Sequence, residues 1–124
     1  MPMTILLAGL LLAAPAPTKA QPKPAPVAEV APDAATVAQA AKARKQGVGR
    51  MRTGDNQGAL PLLERAVKLD PNSPENLRAL AGCLSRLNRF HEAATYYRRF
   101  LEIAPNDPAA GSIRTALDNY DHGS

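Results

Sequence analysis

The chain has 124 residues, 12 of them proline, and a formal net charge of +4 from 15 basic and 11 acidic residues, a length that leaves room for one small domain. The charges are interspersed and aromatic residues make up 4% of the chain, so nucleic acid would find few side chains for base stacking and is not an expected partner. The single cysteine, Cys83, excludes an intrachain disulfide and a two-cysteine metal or redox motif.

The first segment, residues 1–20, has the pattern of a signal peptide. Its apolar run from Met3 to Ala14 would span about 18 Å as a helix, less than the roughly 30 Å hydrocarbon core of a bilayer. Small residues surround a possible cleavage point after Ala20, which predicts a mature chain that starts at or near Gln21. This pattern predicts a periplasmic or secreted protein. The alternative is an uncleaved hydrophobic anchor in the inner membrane, since no Lys or Arg precedes the run.

The next segment, residues 21–33, has the sequence QPKPAPVAEVAPD. Alternating Pro and Ala residues cannot bury a core, and they favour an extended polyproline II chain. We therefore predict a disordered Pro/Ala-rich linker. Asp33, its last residue, is a good N-cap for a helix that follows.

Five helices and no sheet are predicted over residues 34–124, near 34–52, 56–69, 74–87, 90–104 and 108–120. Gly54 and Asn88 are expected to end the first and third helices in a left-handed conformation. Asp55 and Ser73 are expected to cap the second and third helices. The expected core residues are Ala40, Ala43 and Gly47; Ala59, Leu62, Leu63, Ala66 and Val67; Leu77, Leu80, Ala81 and Leu84; Ala93, Ala94, Tyr97, Phe100 and Leu101; and Ile113, Ala116, Leu117 and Tyr120.

The phrase LDPNSP at residues 69–74 returns as IAPNDP at residues 103–108, and Gly54 and Asn88 have the same spacing as the two phrases. A fixed period of about 34 residues indicates stacked helix hairpins. Together with Leu77, Leu80, Ala81, Leu84, Ala93, Tyr97 and Pro105, this pattern resembles the tetratricopeptide repeat family, here of a bacterial envelope type. The resemblance implies an all-α fold, a short α-solenoid with one repeat at 40–73, a second at 74–107 and a capping helix at 108–120.

The first unit departs from the family pattern in its first helix. Ala43 replaces a large leading residue, and Gln46 and Arg50 stand where apolar residues are usual. We therefore expect this helix to be a terminal one with a solvent-exposed outer side.

The resemblance implies a protein–protein interaction module, a scaffold or adaptor that binds a peptide or helix of another protein in its concave groove. The alternative is a self-associating structural component of an envelope assembly. We predict no enzyme, no cofactor, no metal and no small-molecule substrate, because the catalytic candidates are limited to His91, His122 and Cys83. Cys83 falls among leucines and is expected to be a small buried residue.

In this family the first helix of each hairpin lines the groove, so the resemblance implies a partner-binding groove made of Arg44, Val48, Met51, Arg52, Arg78, Gly82, Ser85 and Arg86. Arginine binds carboxylates through a planar fork, which predicts an acidic segment as the partner. Replacing Arg44 and Arg78 by glutamate is expected to abolish binding with little change in melting. The alternative is four solvated arginines on an exposed helix face.

Overall fold

The computed structural model describes residues 31–123; the predicted signal peptide and most of the predicted linker lie outside the described residues. The described part contains five helices and no strand: α1 Ala34–Arg52, α2 Asn56–Leu69, α3 Pro74–Arg86, α4 Phe90–Ile103 and α5 Ala110–Gly123. This confirms the predicted all-α fold, although α5 begins two residues later than predicted. None of these helices is long and apolar enough to cross a membrane.

Local signals place the helix ends. Asp33, Asp55 and Ser73 each accept a hydrogen bond from the backbone N–H three residues further on, so all three predicted N-caps are confirmed. Gly54 has φ of 88° and Asn88 has φ of 64°, the left-handed conformation predicted for both. The start of α5 was predicted too early, because Asp107 accepts from the backbone N–H of Ala109 and holds a turn ahead of the helix.

The helices pair into two hairpins, α1 with α2 and α3 with α4, and the hairpins stack because α3 packs on both α2 and α1. α5 packs on α4, while its Cα atoms stay more than 8 Å from those of α3. The chain therefore forms a short helical stack with α1 at one end and α5 at the other.

The core follows the predicted apolar faces in most places. Leu62 is half-buried and Leu60 is buried in its place, because Leu62 borders the outer side of the first hairpin, which no other helix of the described residues covers. Tyr97 and Leu101, predicted as buried, are half-buried and pack against the core. Ala116 and Tyr120 are half-buried as well.

The outer side of α1 is polar, as the departures from the family pattern predicted. Gln46 and Arg50 are exposed, whereas Gly47 is buried against α2. A Cβ atom at Gly47 would lie 2.7 Å from Cγ and Cδ2 of Leu63. The two helices of the first hairpin therefore approach more closely than any residue larger than glycine allows.

The helix α5 is not a third repeat in register. The repeat period would place the equivalents of the buried α3 residues Leu77, Leu80 and Leu84 at Gly111, Arg114 and Asp118. The buried residues of α5 instead stand one position earlier, at Ala110, Ile113 and Leu117. α5 therefore does not continue the 34-residue register, and its backbone packs on α4 alone among the other described helices.

Candidate partner-binding groove

The predicted groove residues form two parallel stripes, which we call the arginine stripes. They are Arg44, Val48 and Arg52 on α1, and Arg78, Gly82 and Arg86 on α3. Within each stripe the residues are four apart, so they lie on one side of the helix at intervals of about 6 Å. One contact joins the middle of α1 to the beginning of α3 and another joins the ends of the two helices, and together they place the two stripes side by side.

Arg44 is part of a buried network that joins three helices. Its Nη1 donates to Oδ1 of Asn76 at 2.8 Å, and Asn76 is 1% exposed. The Asn76 Nδ2 atom donates to the backbone oxygens of Ala66 at 3.2 Å and Asp70 at 3.3 Å, at the end of α2. Arg44 therefore contributes to the fold, and the prediction that its replacement leaves melting nearly unchanged does not fit this contact.

Asn76 itself was not predicted from the sequence. The sequence shows only that Asn76 precedes Leu77, a predicted core residue of α3. That position does not indicate whether an asparagine is buried or exposed to solvent. The bonds from Asn76 to Arg44 and Ala66 span 32 and 10 residues of chain, so they depend on the stacking of the hairpins.

Arg86 makes a second link between the hairpins. Its Nη1 donates to the backbone oxygen of Met51 at 3.1 Å, in the last turn of α1, where carbonyl groups lack helical partners. Arg52 and Arg78 are exposed, as Arg86 is, but neither forms a hydrogen bond or ion pair with a described residue. Each pair of equivalent arginines thus has one member that joins the hairpins and one without such a bond.

Between the stripes, Gly82 leaves room for one more carbon atom at ordinary contact distance from its neighbours. Apart from its own helix backbone and the adjacent residues, a Cβ atom there would meet Cε of Met51 and the hydroxyl of Tyr97, at 3.9 Å each. We call Gly82, Met51, Ser85 and Tyr97 the Gly82 site; the last three side chains are half-buried. The groove floor therefore receives a side chain from α4 as well as from α1 and α3.

Tyrosines from α4 and α5 reach this floor. The Ser85 Oγ and the Tyr120 hydroxyl are hydrogen-bonded at 2.7 Å, which links α3 to α5. Burial raises the pKa of the Tyr97 phenol and Tyr120 adds to the increase, while Ser85 and the charge of Arg78 act in the opposite direction. The phenol of Tyr97 is therefore protonated at neutral pH. The sequence placed both tyrosines on the apolar faces of their helices, as core residues, and did not predict that they reach the groove floor.

A separate cavity of about 390 Å³ lies between α4 and α5. It is lined by Asn88, Phe90, His91, Ala94, Arg98, Asn119, Tyr120 and Asp121. Phe90 is 41% exposed, and its ring centroid lies 5.1 Å from that of Tyr120. The aromatic pair gives this end of the stack an apolar depression that the sequence did not predict.

The three residues considered for catalysis lie on three different helices. His91 and His122 are exposed, at the beginning of α4 and near the end of α5. Cys83 is buried, as predicted, and its thiol donates to the backbone oxygen of Asn56 at 3.3 Å. Burial raises the pKa of this thiol, which disfavours a thiolate nucleophile. Among residues 31–123 no three His, Cys, Asp or Glu side chains group as metal ligands.

Residues 50–117, more than half of the chain, match the family model described as tetratricopeptide repeat. The chain therefore belongs to the tetratricopeptide repeat family. No curated protein matches it. Tetratricopeptide repeats generally mediate protein–protein interaction, and the family is typically a non-enzymatic interaction module.

Proposed function

We propose that this protein is a scaffold or adaptor that binds a segment of a partner protein along the arginine stripes of α1 and α3. The observation that carries the proposal is the state of Arg52 and Arg78. Both are exposed at the groove and without a carboxylate partner in the described part of the chain, while their counterparts Arg86 and Arg44 are used within the fold.

The charge around the groove favours an acidic partner segment. α1 carries five basic residues and no acidic one, and arginine forms paired hydrogen bonds with carboxylates. Charges on an exposed surface are screened by salt, so binding should weaken as ionic strength rises. Val48 and Met51, both half-buried against the core, add apolar contact area beside the arginines.

We also propose that the protein has no catalytic activity of its own. The support is chemical: the one thiol is buried and protonated, and both histidines are exposed and belong to other helices. Binding alone would then account for the function.

The place of action is proposed to be outside the inner membrane. The support is the apolar run of residues 3–14 with the small residues that follow it. Intact-mass measurement of the exported protein should give a chain that begins at or near Gln21. A species that retains Met1 in the membrane fraction would favour the anchored alternative.

The proposed groove is tested by charge reversal at Arg52 and Arg78, the two stripe arginines that make no hydrogen bond with a described residue. The full chain, the Arg52→Glu/Arg78→Glu variant and a control, Arg65→Glu/Lys68→Glu on the exposed side of α2, serve as baits for envelope extracts. The variant and the control change the net charge equally. We expect proteins retained by the wild type and the control to be lost from the groove variant, with unchanged helicity and melting.

Equal retention by all three baits would show that the stripes are not the binding surface. Sedimentation of the protein over a range of concentrations accompanies this experiment. A concentration-dependent mass with no captured partner would favour the self-associating alternative.

A further inference from the structure

We propose that the Gly82 site selects the partner: it contacts an apolar side chain of an extended segment that carries acidic residues two positions before and two positions after it. This inference rests on the proposed function and assigns the chemistry of the ligand within the same groove. It follows from the space over Gly82, the surroundings of that space and the spacing of the arginines beside it.

The space exists because a glycine stands where the equivalent position of α1 has a side chain. That position is Val48, one repeat earlier, and Val48 packs against the core. At Gly82 the nearest atoms to a Cβ position, outside its own helix backbone and chain neighbours, are 3.9 Å away. Gly82 therefore exposes its backbone between the half-buried side chains of Met51 and Tyr97.

The walls of this space favour an apolar occupant. Met51 presents its methyl group, and a thioether side chain adapts to partners of different shape. Tyr97 presents a neutral phenol, and Ser85 is already bonded to the Tyr120 hydroxyl. No carboxylate borders Gly82, so an anionic or apolar group meets no repulsion there.

The charges on either side fix the pattern of the segment. Arg78 and Arg86 stand one helical turn before and after Gly82, about 6 Å away along the axis. In an extended chain alternate residues point to the same side, about 6.6 Å apart. The pattern acidic–x–apolar–x–acidic thus brings three side chains to Arg78, Gly82 and Arg86 together. Arg86 retains N–H donors for this contact, since its bond to Met51 uses one of five.

The test is a selection from a displayed library of random twelve-residue peptides, with the full chain as bait. We expect enrichment of acidic–x–apolar–x–acidic sequences. An enriched peptide is then synthesised with blocked termini, so that a terminal carboxylate cannot contribute, and its affinity is measured at low and high salt.

Two leucine substitutions separate the site from general effects. Gly82→Leu fills the space and should weaken peptide binding about tenfold or more, a loss typical of a central contact residue. Gly49→Leu is the matched control, because it also replaces a helical glycine and nothing lies within 4 Å of its Cβ position. It should leave binding unchanged. Gly82→Ala, which fits at ordinary contact distances, should weaken binding to a smaller extent, and circular dichroism confirms the fold of each variant.

Enrichment of peptides without acidic flanks, or equal affinity of the wild type and Gly82→Leu, would overturn this inference. If the selected peptides are lost on Arg52→Glu/Arg78→Glu yet unaffected by Gly82→Leu, the proposed function stands and the Gly82 site falls. If binding responds to neither change, both are wrong.

Discussion

The two hairpins share one repeat plan but fill the same positions with different residues. In α3 the three large core positions are Leu77, Leu80 and Leu84, all buried. The equivalent positions of α1 hold Ala43, Gln46 and Arg50, and the last two are exposed. A position inside the stack is covered by neighbouring hairpins, whereas the same position at the end of the stack faces water. The repeat fixes the backbone, and the place in the stack determines the chemistry of each position.

The groove shows the same division within two pairs of equivalent residues. Arg44 bonds to buried Asn76, while its equivalent Arg78 makes no hydrogen bond with a described residue. Arg86 bonds to the end of α1, while its equivalent Arg52 makes none. In each pair, therefore, one arginine has an acceptor in the other hairpin and the second does not. Four similar residues therefore have two roles, and substitutions should separate them.

The largest effect is expected at Asn76, whose equivalent in the first hairpin, Lys42, is exposed. Asn76→Ala removes three hydrogen bonds from a buried position, one of them to the charged Arg44. We expect it to lower the free energy of unfolding by about 2–4 kcal/mol, since a hydrogen bond contributes about 0.5–1.5 kcal/mol and one to a charged group about 1.5–3 kcal/mol. Lys42→Ala should stay within about 0.5 kcal/mol. Urea unfolding measures both, and equal losses would contradict the comparison.

The next effect compares the glycines of α1. Gly47→Ala places a Cβ against buried Leu63, and overpacking of this kind costs about 1–3 kcal/mol, only partly offset by the gain of about 1 kcal/mol in helix propensity. Gly49→Ala has no such neighbour and should gain stability. Thermal melting should therefore shift in opposite directions. The equivalent position of α3 is already alanine, Ala81, so a tolerated Gly47→Ala would mean that the two hairpins pack alike.

Sequence reasoning succeeded where the deciding contact is local. The caps Asp33, Asp55 and Ser73 bond to backbone groups three residues away, and Gly54 and Asn88 act through their own backbone angles. Such features are fixed by side-chain chemistry within one turn of helix. They were predicted correctly together with all five helices of the described residues.

It failed where the deciding contact is distant. The partner of Arg44 lies 32 residues away, and that of Ser85 lies 35 residues away on α5. Both contacts depend on how whole helices rotate against each other. The buried positions of α5 stand one residue earlier than the repeat period places them, and Tyr120 bonds to Ser85 at the groove floor, which the period could not predict.

A smaller effect separates the paired arginines. Arg44→Ala leaves the Oδ1 atom of Asn76 without its donor inside the protein and should cost about 1–2 kcal/mol. Arg78→Ala removes no hydrogen bond and should stay within about 0.5 kcal/mol, while weakening capture of an acidic partner. Of the two variants, Arg44→Ala should therefore lose more stability in unfolding, and Arg78→Ala should lose more affinity for an acidic partner. Identical stability of the two would mean that Arg44 is as solvated as Arg78.

The smallest effect concerns the starts of the second helices. Asp55 caps α2, but the equivalent residue before α4 is Arg89, which makes no cap and pairs instead with Glu92 at 2.6 Å. The Gly58 backbone N–H holds the pKa of Asp55 below its ordinary value of 3.8, and Arg50 contributes to the decrease. The folded state therefore binds protons less readily than the unfolded state. The resulting stability is present above pH 4 and is lost as the pH falls through the lowered pKa.

Asp55→Asn isolates this contribution, because asparagine caps helices as well as aspartate does but does not titrate in this range. We expect melting of the variant to resemble the wild type at neutral pH and to decline less between pH 5 and pH 3. The pKa values of Asp33 and Glu92 are also lowered. Both proteins should therefore still lose some stability as the pH falls. Since the Asp55 side chain is exposed, salt should reduce the contribution of Arg50 and leave that of the backbone hydrogen bond. If the melting temperatures of the two proteins fell in parallel between pH 7 and pH 3, the cap at Asp55 would add no acid-sensitive stability to the first hairpin.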